Sequence, residues 1–153
     1  MRTLVHSTIV ALLLTVGANA YDDKKAEELN TFYSHMTQKA CADSKLFVKA
    51  VDVMKLLKDK KPLLMLDVRT DGEASVISLG ENSAHMPIES LFKKENLDKL
   101  PSDKPIMIIC HSGTRATLAA MGLKRIGFKN VHVVKGGLIA LAKANNPKNA
   151  PAK

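Results

Sequence analysis

The sequence predicts an α/β domain with a mostly parallel sheet, because short apolar runs alternate with helical patterns along most of the chain. Two of these runs, residues 63–66 and 106–109, are apolar at every position, which is typical of strands covered on both faces. With 153 residues, the chain is also long enough for one domain with a real core.

Residues 1–20 have the pattern of a secretory signal peptide. Arg2 supplies a positive charge, residues 4–16 are mostly apolar, and Ala18 and Ala20 are the small residues that precede a cleavage point. The apolar run is shorter than the ~20 residues that a membrane helix needs. We therefore expect cleavage after Ala20, a periplasmic or secreted protein, and no stable membrane span after cleavage. A membrane anchor or a buried first helix is the alternative.

Residues 21–44 form the next predicted segment, which contains an amphipathic helix over about 24–40. Its apolar side chains recur at helical spacing and share one face: Leu29, Phe32, Tyr33, Met36 and Ala40. Such a stripe packs on the domain or docks on a partner, and the pattern leaves both open.

The predicted domain spans residues 45–144. Its N-terminal half is predicted to contain, in order, a strand at 46–50, a helix at 51–58, a turn at 59–62, a strand at 63–66, a loop at 70–83, a short strand at 84–87 and a helical region at 90–100. Its C-terminal half is predicted to contain a turn at 101–105, a strand at 106–109, a helix at 116–126 closed by Gly127, a strand at 131–134, a glycine turn at 136–137 and a helix at 138–144, before a flexible tail at 145–153.

The segment after the second apolar strand is the strongest candidate for a reactive site. It consists of Cys110, His111, Ser112, Gly113, Thr114 and Arg115. A buried strand, a tight loop and a helix N-terminus together bind anions through backbone N–H groups. Such a loop favours a thiolate and gathers oxyanions around it. The pattern therefore indicates attack on the outer sulfur of a thiosulfate-like anion, or attack on a phosphate or arsenate.

Three motifs in this order resemble the single-domain rhodaneses: Asp67-Val68-Arg69, then Cys110-x4-Arg115, then Gly136-Gly137. The resemblance covers about residues 45–143. It implies a small parallel sheet of about five strands with helices on both faces, and thiosulfate sulfurtransferase activity. In that activity Cys110 carries a sulfane sulfur to cyanide or to a thiol. The resemblance also implies that the N–H groups of residues 111–115 hold the persulfide, and that Arg115 orients the loop and the substrate anion.

The resemblance also has implications for the length of the loop after Cys110 and for the residues that support this loop. Four residues separate Cys110 from Arg115, whereas the related phosphatases and arsenate reductases have five, so sulfur transfer is favoured. Asp67, Arg69 and Glu73 are expected to support the loop structurally, with Glu73 paired to Arg69. In place of the family's Gly-His-Ile-Pro-Gly-Ala type of segment, the chain is expected to have residues 78–84.

Two side chains keep alternative interpretations. His111 either helps to attract anions or points to solvent. Cys41 is either a buried small residue or a thiol that reaches Cys110.

Composition limits the expected partners. The formal net charge is +8, but the lysines are scattered and aromatic residues make up only 4% of the chain, so nucleic acid is not expected. We expect a small anionic sulfur donor and a thiol or protein sulfur acceptor. The histidines and cysteines show no metal-ligand spacing, so neither a metal nor a cofactor is expected. The alternative function is a sulfur carrier or binding module that hands a persulfide to a partner. A phosphatase or arsenate reductase is the third candidate.

Overall fold

The computed structural model describes residues 20–146, and the chain divides into two compact units, residues 1–35 and 36–153. The first unit contains helix α1 (Asp23–Tyr33), which Asp22 caps by accepting the N–H of Lys25. No side chain of α1 is buried, and the rings of Phe32 and Tyr33 meet edge to face. Apart from Ala20, the expected signal peptide lies outside the described residues. Residues 147–153 of the expected tail also lie outside them.

The prediction of one continuous helix over 24–40 is wrong. Helix α1 ends at Tyr33, and a second helix, α2 (Gln38–Asp43), begins after Thr37. Thr37 has an extended backbone, and its hydroxyl accepts the N–H of Ala40 at 3.1 Å. Threonine competes well for this capping position, which interrupts the helical spacing seen in the sequence. Cys41 lies in α2 and is exposed, so its interpretation as a buried residue is also wrong.

The second unit continues from α2 with strands and helices in close alternation. These are β1 (Phe47–Lys49), α3 (Ala50–Lys58), β2 (Leu64–Asp67), α4 (Asp71–Val76), β3 (Ser83–His85), α5 (Ile88–Leu91), α6 (Lys94–Leu97), β4 (Ile106–Ile109), α7 (Thr114–Arg125), β5 (Val131–Lys135) and α8 (Gly137–Ala144).

The five strands form one parallel sheet in the order β1-β5-β4-β2-β3. The central strand β4 pairs with β2 on one side and with β5 on the other, so that Ile108 lies level with both Leu66 and Val133. Helices cover both faces of the sheet. The predicted α/β class with a five-stranded parallel sheet is confirmed.

The side chains of β4 explain why its sequence is apolar throughout. Ile106 and Ile108 belong to the core cluster on the side of α7, whereas Met107 and Ile109 belong to the cluster on the side of α3 and α8. Successive side chains of a strand point to opposite faces, so a central strand covered on both sides buries every one of them.

One segment expected to be a loop contains a helix. Residues 71–76 of the predicted loop at 70–83 form α4, which starts with a reciprocal capping box. In it the Thr70 hydroxyl accepts the N–H of Glu73, and the Glu73 carboxylate accepts the N–H of Thr70. These two hydrogen bonds satisfy two backbone N–H groups at the N-terminal end of a very short helix. Helix α4 lies at the end of the sheet where the C-termini of β2 and β4 are found.

Candidate active site

Cys110 follows directly after the central strand β4, and only 1% of it is exposed. The N–H of Gly113 donates to its Sγ at 3.1 Å. Gly113 has a φ of 118°, in the left-handed region that favours glycine, and it immediately precedes α7. The loop can therefore turn back on the sulfur and enter a helix within three residues, and the helix N-terminus favours negative charge there.

The paired glycines bring α8 against the back of this loop. The N–H of Leu138 donates to the carbonyl of Cys110 at 2.8 Å, and the N–H of Ile139 donates to the carbonyl of His111 at 3.3 Å. Gly137 has a φ of 60°, and a Cβ on it would lie 2.6 Å from both of these carbonyl oxygens. Only glycine allows this approach, so Gly137 is a positioning residue for the loop, a role that the sequence motif alone did not suggest.

Arg115 connects the loop to α4 through Glu73. Its two terminal nitrogens donate to the two carboxylate oxygens of Glu73, each at 2.6 Å. These bonds raise the pKa of Arg115, and the charge and hydrogen bonding of Cys110 raise it further. The expected pairing of the Glu73 carboxylate with Arg69 is wrong, because Arg115 comes from an element 42 residues away that the fold places closer.

Arg69 pairs instead with Asp67, and both are buried, with exposures of 2% and 3%. The Nη2 of Arg69 donates to Asp67 at 2.6 Å and also to the carbonyl of Ile77, while its Nη1 donates to the carbonyl of Glu73. The hydrogen bond to Asp67 raises the pKa of Arg69. This pair therefore anchors the C-terminal end of α4 to the end of β2.

Thr70 completes the support of Glu73, and sequence reasoning missed it. Its hydroxyl donates to Oε2 of Glu73 at 3.0 Å, the oxygen that also accepts from Arg115. The hydrogen bonds from Arg115 and then from Thr70 lower the pKa of Glu73 well below its ordinary value. The Thr-x-x-Glu spacing of a capping box is visible in the sequence and could have revealed this role.

The sequence of this chain matches the model of a known domain family. The model of the rhodanese-like domain matches residues 49–144, more than half of the chain. The chain belongs to the rhodanese-like domain family. The resemblance drawn from the three sequence motifs is thus confirmed.

Individual relatives of this rhodanese-like domain are distant. The probable adenylyltransferase/sulfurtransferase MoeZ of Mycobacterium tuberculosis is 29% identical over 87 residues, which cover 57% of this chain and 22% of that protein. The chain thus spans less than a quarter of that relative. The thiosulfate sulfurtransferase GlpE of Vibrio cholerae is 26% identical over 100 residues, 65% of this chain and 92% of that protein.

A solved structure supports the same fold. A rhodanese-related protein from Thermoplasma volcanium is similar with a TM-score of 0.56 and 30% sequence identity. The similarity covers 65% of this chain and 93% of that one.

The other loop residues of this rhodanese-like domain differ in their exposure to solvent. His111, Ser112 and Thr114 are exposed, whereas Gly113 and Arg115 are half-buried. Of the predicted loop residues, Gly113 and Arg115 interact with Cys110, while the roles of all six in catalysis stay predictions. At the C-terminal end of the neighbouring strand β3, Nε2 of His85 lies 2.9 Å from Oδ1 of Asp71.

Residues 78–84 were expected to stand in place of the family's Gly-His-Ile-Pro-Gly-Ala type of segment. Part of that segment is nevertheless present in the chain. The His-x-Pro part of that segment is present as His85, Met86 and Pro87 at the end of β3, just after residues 78–84, which were expected to take its place. Over the described residues 20–146, no cluster of three or more His, Cys, Asp or Glu side chains could hold a metal ion. Within the same range, no helix is long and apolar enough to cross a membrane.

Proposed function

We propose that this rhodanese-like domain is an exported thiosulfate sulfurtransferase in which Cys110 carries the transferred sulfur. The observation that carries the proposal is the Sγ of Cys110, held by the N–H of Gly113 where the central strand meets α7. The similarity to a thiosulfate sulfurtransferase over 92% of that relative's length supports the choice of donor.

The first half of the reaction loads the enzyme. The thiolate of Cys110 attacks the outer sulfur of thiosulfate, the sulfur–sulfur bond breaks, and its electron pair leaves with sulfite. Cys110 then holds a persulfide. The N–H of Gly113 and the guanidinium of Arg115 favour negative charge on this sulfur pair, because both are fixed in place before the reaction begins.

The second half returns the thiolate. Cyanide or a thiolate attacks the terminal sulfur of the persulfide, and the bond between that sulfur and Sγ breaks. The electron pair of this bond goes back to Cys110, whose negative charge the same two groups stabilise. No net oxidation or reduction occurs over the cycle, so the reaction requires no redox cofactor.

The proposal of export rests on the sequence pattern of residues 1–20. The protein recovered from the periplasmic or extracellular fraction should begin at Tyr21 on N-terminal sequencing. Retention of the full chain in the cytoplasm would contradict export without affecting the proposed chemistry.

Thiocyanate formation from thiosulfate and cyanide tests the activity. We expect Cys110→Ser to lower turnover by at least about a thousandfold, because a serine hydroxyl is a poor nucleophile at neutral pH. Cys41→Ser is the matched control. Cys41 is the other free cysteine and is exposed, so that variant should keep its turnover.

The other outcomes separate the candidate functions. Turnover that persists in Cys110→Ser would reject the mechanism. A mass increase of about 32 Da on Cys110 without turnover would favour the sulfur carrier instead. Hydrolysis of an aryl phosphate that depends on Cys110 would favour the phosphatase.

A further inference from the structure

We propose that a cleft beside the catalytic loop binds the body of a small thiol acceptor that carries a carboxylate. This inference rests on the proposed function and names the class of acceptor for the same site. The cleft, called here the acceptor cleft, has a volume of about 360 Å³ and is lined among others by Phe47, Ser112, Thr114, Thr117, Leu118 and Lys135. Gly113, whose N–H contacts Sγ of Cys110, also lines it, so the cleft adjoins the loop that holds the sulfur, although Cys110 itself does not line it.

The two arginines at the site are already paired and leave little net charge for an anionic acceptor. Each terminal nitrogen of Arg115 donates a hydrogen bond to Glu73, and the guanidinium also interacts with Cys110. Arg69 is buried against Asp67. A paired carboxylate weakens the field of its guanidinium at longer range, and the field that remains at Arg115 acts on the neighbouring Cys110 sulfur. A second anionic group on a substrate must therefore find its cation elsewhere.

The acceptor cleft offers that cation at its rim. Lys135 lines the cleft, and the strand register places it level with Lys49 on β1. Both lysines are exposed, and paired residues of neighbouring strands point to the same face of the sheet. Within residues 20–146, neither lysine forms an ion pair. Adjacent like charges repel each other, so a bound carboxylate would relieve this repulsion.

Two exposed apolar side chains, Phe47 and Leu118, form part of the wall of the cleft. Phe47 is 53% exposed and Leu118 is 63% exposed, and they line the same space. Phe47 pairs in register with Val133, so it stands on the face of the sheet that α7 covers. Apolar walls give no advantage to cyanide or to thiosulfate, but they suit the carbon body of an organic thiol. A volume of this size is ordinary for a small-molecule site.

The transfer step follows from this placement. The acceptor's thiolate attacks the terminal sulfur of the Cys110 persulfide and forms a new sulfur–sulfur bond. The bond to Sγ breaks, its electron pair stays on Cys110, and the acceptor leaves as a persulfide that carries its original carboxylate. The carboxylate at Lys135 takes no part in the chemistry, so Lys135 is a specificity residue.

Acceptor kinetics with two thiols that match in size and differ in charge test the acceptor cleft. N-acetylcysteine carries a carboxylate, and N-acetylcysteine amide is neutral and of nearly the same size. With thiosulfate as donor, we expect the wild type to have a lower KM for the carboxylate form. In Lys135→Gln that preference should fall by about two- to fivefold, the range of an exposed ion pair. Leu118→Ser should raise the KM of both thiols.

Matched controls lie at the opposite end of the sheet. Lys129 and Ile126 line a separate cleft there, and both are exposed. Lys129→Gln and Ile126→Ser should leave the preference between the two thiols unchanged. An equal loss of preference in Lys129→Gln would show a general effect of net charge and would overturn the proposal, as would an unchanged preference in Lys135→Gln.

A binding measurement keeps the test separate from turnover. Cys110→Ser can be titrated with S-methyl-N-acetylcysteine, which cannot accept sulfur, while amide resonances are followed by NMR. Shifts at Thr114 and Lys135 but not at Lys129 would support the acceptor cleft even if thiosulfate were not the donor. Absence of saturable shifts at these positions would overturn it. Failure of thiosulfate and cyanide turnover alone would overturn the proposed function and not the cleft.

Discussion

At the scale of single residues, Glu73 fixes the guanidinium of Arg115, which interacts with Cys110. Its carboxylate accepts two hydrogen bonds from Arg115 and two from Thr70, one of these from the backbone. These bonds act on the charged form, so they lower the pKa of Glu73. The Glu73 carboxylate thus caps the start of helix α4 and also fixes the guanidinium of Arg115.

We predict that Glu73→Gln destabilises the fold at neutral pH by about 1 kcal/mol, a modest value because the side chains of both partners are about one-third exposed to solvent. Glutamine keeps an acceptor for Thr70, so the change mainly removes the charge. Sulfur transfer should also slow, because Arg115 loses its fixed position. Urea denaturation and steady-state kinetics would measure both effects.

The stabilisation by Glu73 should depend on pH in a defined direction. Its pKa in the folded chain lies below its ordinary value of 4.5, so the stabilisation is complete above that value and is lost as the pH falls through it toward the folded pKa. The difference between wild type and Glu73→Gln should therefore shrink below about pH 4.5. Glu81→Gln, at an exposed position before β3, should show no such difference. A difference that grew on acidification would contradict this account.

At the scale of elements, the catalytic loop is held from both sides by helix starts. Helix α7 begins directly after Gly113, and helix α8 donates two N–H groups to the loop's carbonyls. Donors at a helix start have no partner within their own helix, so they are free to bind another segment. The loop therefore has the carbonyls of Cys110 and His111 bound by α8, while the N–H of Gly113 donates to the sulfur.

We predict that Gly137→Ala destabilises the fold by at least about 2 kcal/mol, since the new Cβ needs a left-handed backbone and meets two carbonyl oxygens. Sulfur transfer should fall as well, because the loop must shift away from α8. Gly72→Ala is the control. Gly72 lies within α4 with open space around its Cβ position, so alanine there should be neutral or slightly stabilising. Equal stability of Gly137→Ala and wild type would refute the role of the close approach.

At the scale of the whole molecule, one sheet joins two apolar layers. The layer on the side of α7 includes Ile108, and the layer on the side of α3 and α8 includes Ile109. Cys110 follows these two residues, so the reactive sulfur is attached to the most enclosed strand of the fold. A nucleophile placed there moves little, because the strand that positions it is packed on both faces.

Packing around β4 should dominate the stability of the domain. We predict that Ile108→Ala costs about 3 kcal/mol, because Ile108 is fully buried and its loss leaves a cavity between neighbouring strands. Ile126→Ala removes the same atoms from a residue that is 52% exposed, and it should cost less than about 1 kcal/mol. Thermal and urea unfolding would compare the two. Similar losses at both positions would contradict the assignment of β4 to the core.

Several features of this protein could be predicted from the sequence alone, because their signals are local. The buried strands β2 and β4 follow from continuous apolar runs, and the reactive loop follows from a cysteine placed between such a run and a helical pattern. The order of three short motifs was enough to indicate the family. Helix α4 was also within reach, since its capping box occupies four consecutive residues.

Which of these local features come into contact is determined only by the tertiary structure. Glu73 and Arg115 are 42 residues apart, and Lys49 and Lys135 are farther still, so their pairing depends on the strand order β1-β5-β4-β2-β3. Strand order is selected by the burial of both sheet faces at once, a property of the whole chain that no single segment carries. The sequence by itself therefore indicated Cys110 as the candidate nucleophile and located its loop. The partner of Arg115, the approach of α8 and the lysines beside the cleft were decided only when the sheet assembled.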